Sequence, residues 1–345
     1  MHRVRTAVIG YGLGGRTFHV PLISAVPGLE LAAIVTSQAD RVHEEWPGIE
    51  VRANVESVLA DPSIELVVVS TPNDSHFDLA TRAYAAGKHV VVDKPFTVTA
   101  TEAEGIMAAA AAARRVLSVF HNRRWDADFL TLQRLLHEGT LGDVSFIESH
   151  YDRFRPVVRN RWREHDVPGA GTWYDLGAHI ADQVLRLWGT PASVTADLLA
   201  QRPGATAIDY FHVVLEYSRG RRAILHGGSM AAASTLRFVV HGRNGSYVKH
   251  GLDTQEASLK AGSGPGSPDY GIDPVEGELT AADGSVTRVG NERGNYASYY
   301  EELLRAIRDG TPPPVSGEDG LAVMRIIEAA TRSATTRRTI VLDAR

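Results

Sequence analysis

The chain begins with a short apolar run, Val4–Ile9, that enters Gly10-Tyr11-Gly12-Leu13-Gly14-Gly15, after which residues 17–24 read as a helix stopped near Pro27. Gly10, Gly12 and Gly15 fit the spacing G-x-G-x-x-G. Such a junction needs one glycine for a tight turn, one so that a pyrophosphate can approach the backbone, and one so that the helix can lie close on the strand. The helix N-terminus turns its free N–H groups toward the phosphates. The spacing alone is a weak signal, but a strand before it and a helix after it point to a dinucleotide-binding βαβ unit. Gly10, Gly12, Leu13, Gly14 and Gly15 are therefore candidate cofactor contacts.

The same rhythm continues. Leu29–Val35 reads as a second strand, and at its end, where an Asp or Glu would bind the ribose hydroxyls of NAD, stand Thr36, Ser37 and Gln38, with Arg41 one helical turn on. Without that carboxylate a 2′-phosphate is not repelled, and hydroxyls with a guanidinium suit one, so NADP is expected and NAD stays possible. The competing reading makes Thr36 and Ser37 a helix cap and Arg41 a solvated side chain.

Leu66–Val69 ends in Thr71, Pro72 and Asn73, expected to line the nicotinamide half of the cleft unless they form a plain turn. His89 to Phe96 then places three valines before Asp93-Lys94-Pro95. The valines suit a parallel strand covered on both faces, Pro95 must end it, and Lys94 falls at the carboxyl edge where open α/β sheets hold their ligands; a surface Asp-Lys pair is the alternative. Thr99 and Glu102 predict a capping box for a helix over residues 100–114, and residues 116–120 a further strand that runs into Asn122, Arg123 and Arg124. This alternation predicts an α/β fold with a doubly wound parallel sheet.

The texture changes after that point, and 345 residues suit two domains, expected at 1–122 and 123–345. Residues 125–137 and 173–188 read as helices, residues 144–155 as an alternating strand, and segments between 194 and 249 as strands of an antiparallel meander, so the second domain is expected to be α+β with a large open sheet. Residues 155–172 form a long polar loop. Asp175 and His179 lie four apart on one predicted helix, a spacing at which a carboxylate orients an imidazole, although such pairs are commonly plain surface contacts. Trp173 and Tyr174 just upstream suit stacking on a sugar or polyol ring. No metal site is expected, because there are no cysteines and no third ligand at suitable spacing beside this pair.

A net charge of −5 gives no general reason to expect nucleic acid or anionic membranes as partners. No apolar run approaches the ~18 residues of a membrane helix, and the charged residues at the start do not read as a signal peptide, so a cytoplasmic location is expected.

Taken together, the glycine turn, Thr71-Pro72-Asn73, Gly87-Lys88-His89-Val90, Asp93-Lys94-Pro95 and Asp175-x-x-x-His179 resemble the glucose-fructose oxidoreductase/inositol dehydrogenase/MocA family over essentially the whole chain. Residues 119–126, Arg153-Phe154-Arg155-Pro156 and Arg161-Trp162-Arg163-Glu164 resemble most closely its NADP-dependent scyllo-inositol 2-dehydrogenases. Asp93 departs from the family's triplet, which usually begins with Glu, but leaves Lys94 in register. The resemblance implies reversible hydride transfer between a carbinol carbon of a cyclic polyol or sugar and NADP. It makes Lys94, Asp175 and His179 the catalytic set, with His179 as acid/base and Lys94 holding the reacting oxygen, or with those two roles exchanged. His76, Asp93, Lys94 and Asn122 join the cofactor contacts; Arg124, Tyr151, Arg153, Trp162 and Trp173 join the catalytic three as substrate contacts.

An enzyme of this fold that modifies sugars by transient oxidation on bound NAD, and a non-catalytic NADP-binding sensor, are the alternatives. A homodimer or homotetramer is also implied, built by packing open sheets that would otherwise expose Phe211, Val213 and Leu215.

Overall fold

The computed structural model describes residues 2–233 and 235–342. It divides into two compact units, one of Met1–Trp125, Thr254–Tyr270 and Asn295–Leu321, the other of Asp126–Asp253, Gly271–Gly294 and Ala322–Arg345. Neither unit is a single stretch of chain.

The first unit is built on six parallel strands, β1 (Val4–Ile9), β2 (Leu29–Val35), β3 (Glu50–Arg52), β4 (Leu66–Val69), β5 (His89–Val92) and β6 (Leu117–Val119), in the order β3-β2-β1-β4-β5-β6. Val67, Val68 and Val69 and then Val90, Val91 and Val92 are fully buried, as a sheet covered on both faces requires. Strand order reverses between β1 and β4, and the crevice at their carboxyl ends is where such sheets take ligands. The helix Ala100–Ala113 starts at the expected capping box, with Thr99 and Glu102 each accepting from the other's backbone N–H. The predicted helix after the glycine turn is a π-helical segment, Gly15–His19, that passes into the α-helix Val20–Ala25.

The second unit carries a nine-stranded sheet of β7 (Val144–His150), β8 (Ser193–Leu199), β9 (Tyr210–Glu216), β10 (Arg222–Gly228), β11 (Leu236–Gly242), β12 (Gly245–His250), β13 (Gly277–Ala281), β14 (Val286–Val289) and β15 (Ile340–Val341). Its order is β14-β13-β12-β11-β7-β10-β9-β8-β15. The expected meander is corrected here. β7 inserts between β10 and β11 and runs parallel to β10, which is possible because a long crossover separates it from the strands that follow. β7 also stops at His150, and beyond it Phe154 makes only a single bridge with Met230. The hairpin of β13 and β14 escaped the sequence reading, its strands being half-exposed or exposed and poor in apolar residues.

Phe211, Val213 and Leu215 do not face solvent. They are fully buried, with Phe211 against the Trp173 ring at 5.1 Å, and the half-exposed side of β9 carries Tyr210, His212, Val214 and Glu216 instead. Strand alternation puts one set in and the other out, and only the packing of helical segments chose which. On the covered side the buried Arg237 guanidinium donates to Asp128 Oδ2 (2.9 Å), Ser149 Oγ (2.8 Å) and Gln183 Oε1 (2.7 Å), tying β11 to the helices Ala127–His137 and Ala178–Trp188. Among the described residues, no helix is long and apolar enough to cross a membrane.

Candidate active site

In the first unit the glycine turn, the end of β4 and the end of β5 meet. Gly10 has φ +102°, and a Cβ there would lie 2.3 Å from the Ser70 carbonyl oxygen; a Cβ on Gly15 would lie 2.1 Å from the Gly10 carbonyl oxygen. These two positions admit only glycine. A Cβ on Gly14 would meet Asp93 Oδ2 at 2.4 Å, whereas Gly12 faces open space. A backbone so bared at the switch point fits the close approach of a dinucleotide's phosphates.

Asp93 binds the turn together. Its Oδ1 accepts from the Lys94 N–H (2.7 Å) and its Oδ2 from Ser70 Oγ (3.0 Å), with His19 Nε2 at 3.3 Å. Burial opposes its charge, but His19, Lys94 and His76 outweigh burial and hold the carboxyl well below the usual carboxylate range. His19 is itself held by Tyr300, whose hydroxyl lies 2.6 Å from Nδ1. Neither histidine nor tyrosine carried a sequence signal, since Tyr300 is 281 positions away.

His76 is fully buried rather than open to a ligand: Nε2 lies 3.1 Å from the Thr71 carbonyl and Nδ1 3.1 Å from that of Pro95. It pins the Thr71 turn to the turn that carries Lys94. Burial pushes its pKa down, so the ring is neutral and one nitrogen donates at a time. The Lys94–Pro95 peptide is cis.

Thr36, Ser37 and Arg41 stand at the end of β2. Thr36 Oγ1 accepts from the Gln38 N–H (3.1 Å), a local cap. Arg41 Nε donates to Glu45 (3.2 Å), and Arg16 clasps the same carboxylate from the other side (2.6 Å). The Arg16 hydrogen bond leads the effects that hold Glu45 down at about 2. Arg16 was missed in the sequence because it sits inside the helical segment after the glycines. Thr71 Oγ1 and Ser75 Oγ are 2.6 Å apart, and Pro72, Asn73 and Asn122 lie in the turns after β4 and β6, both asparagines buried. Arg124 is buried too, on Asp319 (3.3 Å) and the Pro314 carbonyl (3.4 Å), so it braces the first unit.

The second unit holds Asp175 and His179. Asp175 lies in a π-helical segment, Trp173–Gly177, and His179, 6% exposed, in the α-helix that continues it. The expected regular helix is thus widened at its start, and π turns of this kind recur at functional sites. Trp173 is the first residue of that π-helical segment. Its ring lies so close to Gly177 that a Cβ there would sit 2.1 Å from it, and its indole N–H donates to the Ile327 carbonyl (3.2 Å). Trp173 is therefore a core residue, not a stacking platform. Tyr151 is likewise buried, with the Arg153 guanidinium 5.2 Å from its ring.

Beside Asp175 is a pocket whose walls include Arg153, Arg155, Arg161, Arg163 and Arg202. Burial and the charges of Arg153, Arg161 and Arg159 push Arg155 down from its ordinary value, with Asp175 opposing them. Glu164 takes up part of this charge, pairing with Arg161 (2.8 Å) and Arg202 (3.1 Å). Trp162 stacks under Arg163 at 5.1 Å. The loop stood out in the sequence by its length and polarity, but Arg202 joins its pocket only through folding.

Residues 4–121 match the family model described as "Oxidoreductase family, NAD-binding Rossmann fold", and residues 133–342 that described as "Oxidoreductase family, C-terminal alpha/beta domain". The chain belongs to the Gfo/Idh/MocA oxidoreductase family. It is 50% identical over 343 residues to the oxidoreductase YdgJ of Escherichia coli (strain K12), covering 98% of this chain and 99% of that one. It is 43% identical over 345 residues to scyllo-inositol 2-dehydrogenase (NADP(+)) IolW of Bacillus subtilis (strain 168), covering 99% and 96%. The solved structure of the Yersinia pestis oxidoreductase YPO2259 superposes with a TM-score of 0.95 at 46% identity, over 100% of this chain and 98% of that one. As a Gfo/Idh/MocA member, the protein is an oxidoreductase with an NAD(P)-binding Rossmann domain.

Proposed function

We propose that the protein oxidises a secondary alcohol of a cyclic polyol or sugar reversibly with NADP, scyllo-inositol being the first compound to try. The observation that carries this reading is the first-unit junction, where a glycine cradle open at Gly12 adjoins a carboxylate that fastens the Lys94 backbone. The likeness to the NADP-dependent scyllo-inositol dehydrogenase supports the choice of nucleotide and substrate. A bound nicotinamide nucleotide would supply the hydride acceptor for the carbinol carbon.

The residues of this chain do the rest. Gly10 to Gly15 would hold the pyrophosphate, and Thr36, Ser37 and Arg41 would hold the 2′-phosphate, near the Arg16 that shares Glu45 with Arg41. In this reading His179, with Asp175 as its partner, would act as acid/base, and Lys94 would be the cation for the developing oxyanion. Guanidiniums of the loop pocket, with five donors each, grip the remaining hydroxyl oxygens. Thr71, Pro72 and Asn73 would line the nicotinamide end.

A spectrophotometric scan of the purified protein with NADP and NAD against inositols, aldoses and their keto forms tests this. Reduction with NADP and an inositol is expected; no absorbance change with any of them, despite bound nucleotide, rejects the assignment. Lys94→Ala and His179→Ala should each lose ~10²-fold or more in turnover, and His179→Ala should keep nucleotide binding. Unchanged turnover removes that residue from the mechanism. We also propose that the half-exposed side of the second-unit sheet, which carries Tyr210, His212 and Val214, packs on a second copy to give a homodimer or homotetramer. Light scattering that finds a monomer at micromolar concentration contradicts it.

A further inference from the structure

On that half-exposed side three strands bring histidines into one row. His226 of β10 is in register with His150 of β7 on one side and with His212 of β9 on the other, and Asp152 follows two residues after β7 ends. His150 Nδ1 lies 3.3 Å from Asp152 Oδ2, and His226 Nε2 lies 3.5 Å from Asp152 Oδ1. Donor atoms of all three residues fall within 4.8 Å of one another. The edge of a tetrahedron of ligands around zinc, with bonds of about 2.0–2.1 Å, is about 3.3 Å.

The outward ring nitrogens are also engaged. His150 Nε2 is 2.7 Å from Glu148 Oε1, and His226 Nδ1 is 3.4 Å from His212 Nδ1. A histidine that gives one nitrogen to a metal nearly always donates from the other to such a partner, which fixes its tautomer and raises its basicity. Both rings are therefore turned so that Nδ1 of His150 and Nε2 of His226 converge on one carboxylate. The group is largely shielded, the side chains of His150, Asp152 and His226 being 12%, 5% and 20% exposed.

We propose that His150, Asp152 and His226 form a zinc site, with Glu148 and His212 orienting the two imidazoles. Two imidazoles and a carboxylate suit zinc and other first-row divalent ions rather than magnesium or calcium, and leave a fourth position open. The site joins the end of β7 to β10 and lies apart from Asp175 and His179 in the sequence. The absence of a metal was expected from the missing cysteines and the lack of a third ligand beside Asp175 and His179; these ligands come instead from the end of β7, the turn after it and β10, more than seventy positions on.

The test uses tag-free, chelator-treated full-length protein titrated with zinc sulfate, followed by gel filtration and elemental analysis. Wild type should retain one zinc per chain, and cobalt(II) should give the visible bands of a four-coordinate site. His150→Ala, His226→Ala and the nearly isosteric Asp152→Asn should lose that zinc. Glu148→Gln should weaken binding about 10–100-fold, as removal of an orienting partner does. His179→Ala should retain the metal, which separates this site from the proposed acid/base. Circular dichroism of the metal-free variants must match wild type; if Asp152→Asn alone meets that control, it decides. Absence of retained zinc in wild type, or retention undiminished in a folded Asp152→Asn variant, overturns the proposal.

Discussion

Two π-helical segments stand at comparable places, Gly15–His19 in the first unit and Trp173–Gly177 in the second. Each precedes the helix beside a candidate ligand site, yet the chemistry that supports them is opposite. The first rests on missing side chains, since a Cβ on Gly15 would meet the Gly10 carbonyl and one on Gly10 the Ser70 carbonyl. The second rests on the largest side chain in the code, the Trp173 ring laid over Gly177. A helix can be widened either by letting backbone approach backbone or by wedging a ring into its turn.

Reversing each condition tests whether the two segments are supported separately. The largest effect is expected for Trp173→Ala, which empties a buried indole site and should cost about 3–5 kcal/mol of unfolding free energy in a urea titration. It should lower turnover through Asp175 while nucleotide binding, followed by fluorescence, persists. Loss of nucleotide binding instead would show that the two segments do not act separately.

Gly10→Ala is the converse, adding bulk where φ is +102° and a carbonyl oxygen would be 2.3 Å away. It should cost about 2–4 kcal/mol from backbone strain and overpacking and abolish nucleotide binding. An alanine variant that binds NADP as wild type does would remove the close-approach argument for that turn.

The smallest effect sharpens the account of the strand that leads to Lys94. His89 Nδ1 accepts from the Val116 N–H (3.0 Å), and burial, with the charge of Arg115, lowers its pKa from 6.5 to about 4. The unfolded chain therefore takes up this proton below about pH 6.5 while the folded chain does not until about pH 4. Stability from this group is complete above pH 6.5 and is lost as pH falls toward 4, by about 1–2 kcal/mol after discounting the ring's partial exposure. Urea midpoints of wild type and His89→Phe at several pH values in this window should diverge accordingly; parallel curves would refute the attribution.

The first unit was the more legible because its elements answer to local rules. The glycine turn, the valine strands and the Thr99–Glu102 box each announce themselves within a few residues, and strand, helix and cap follow where expected. In the second unit the alternation of β9 marked two faces without saying which was covered, and the side with Phe211, Val213 and Leu215 proved to be the inner one.

Short stretches of sequence were therefore enough for the family and the parallel sheet, because motifs and periodicities act over one turn or one strand. Only the tertiary structure buried Trp173, Tyr151, His76 and Arg124. It alone joined Tyr300 to Asp93 through His19, slid β7 beside β10, and drew His150, Asp152 and His226 together. Those outcomes depend on which distant segments meet. That is set by the burial of whole faces, a sum over many side chains that no short stretch contains.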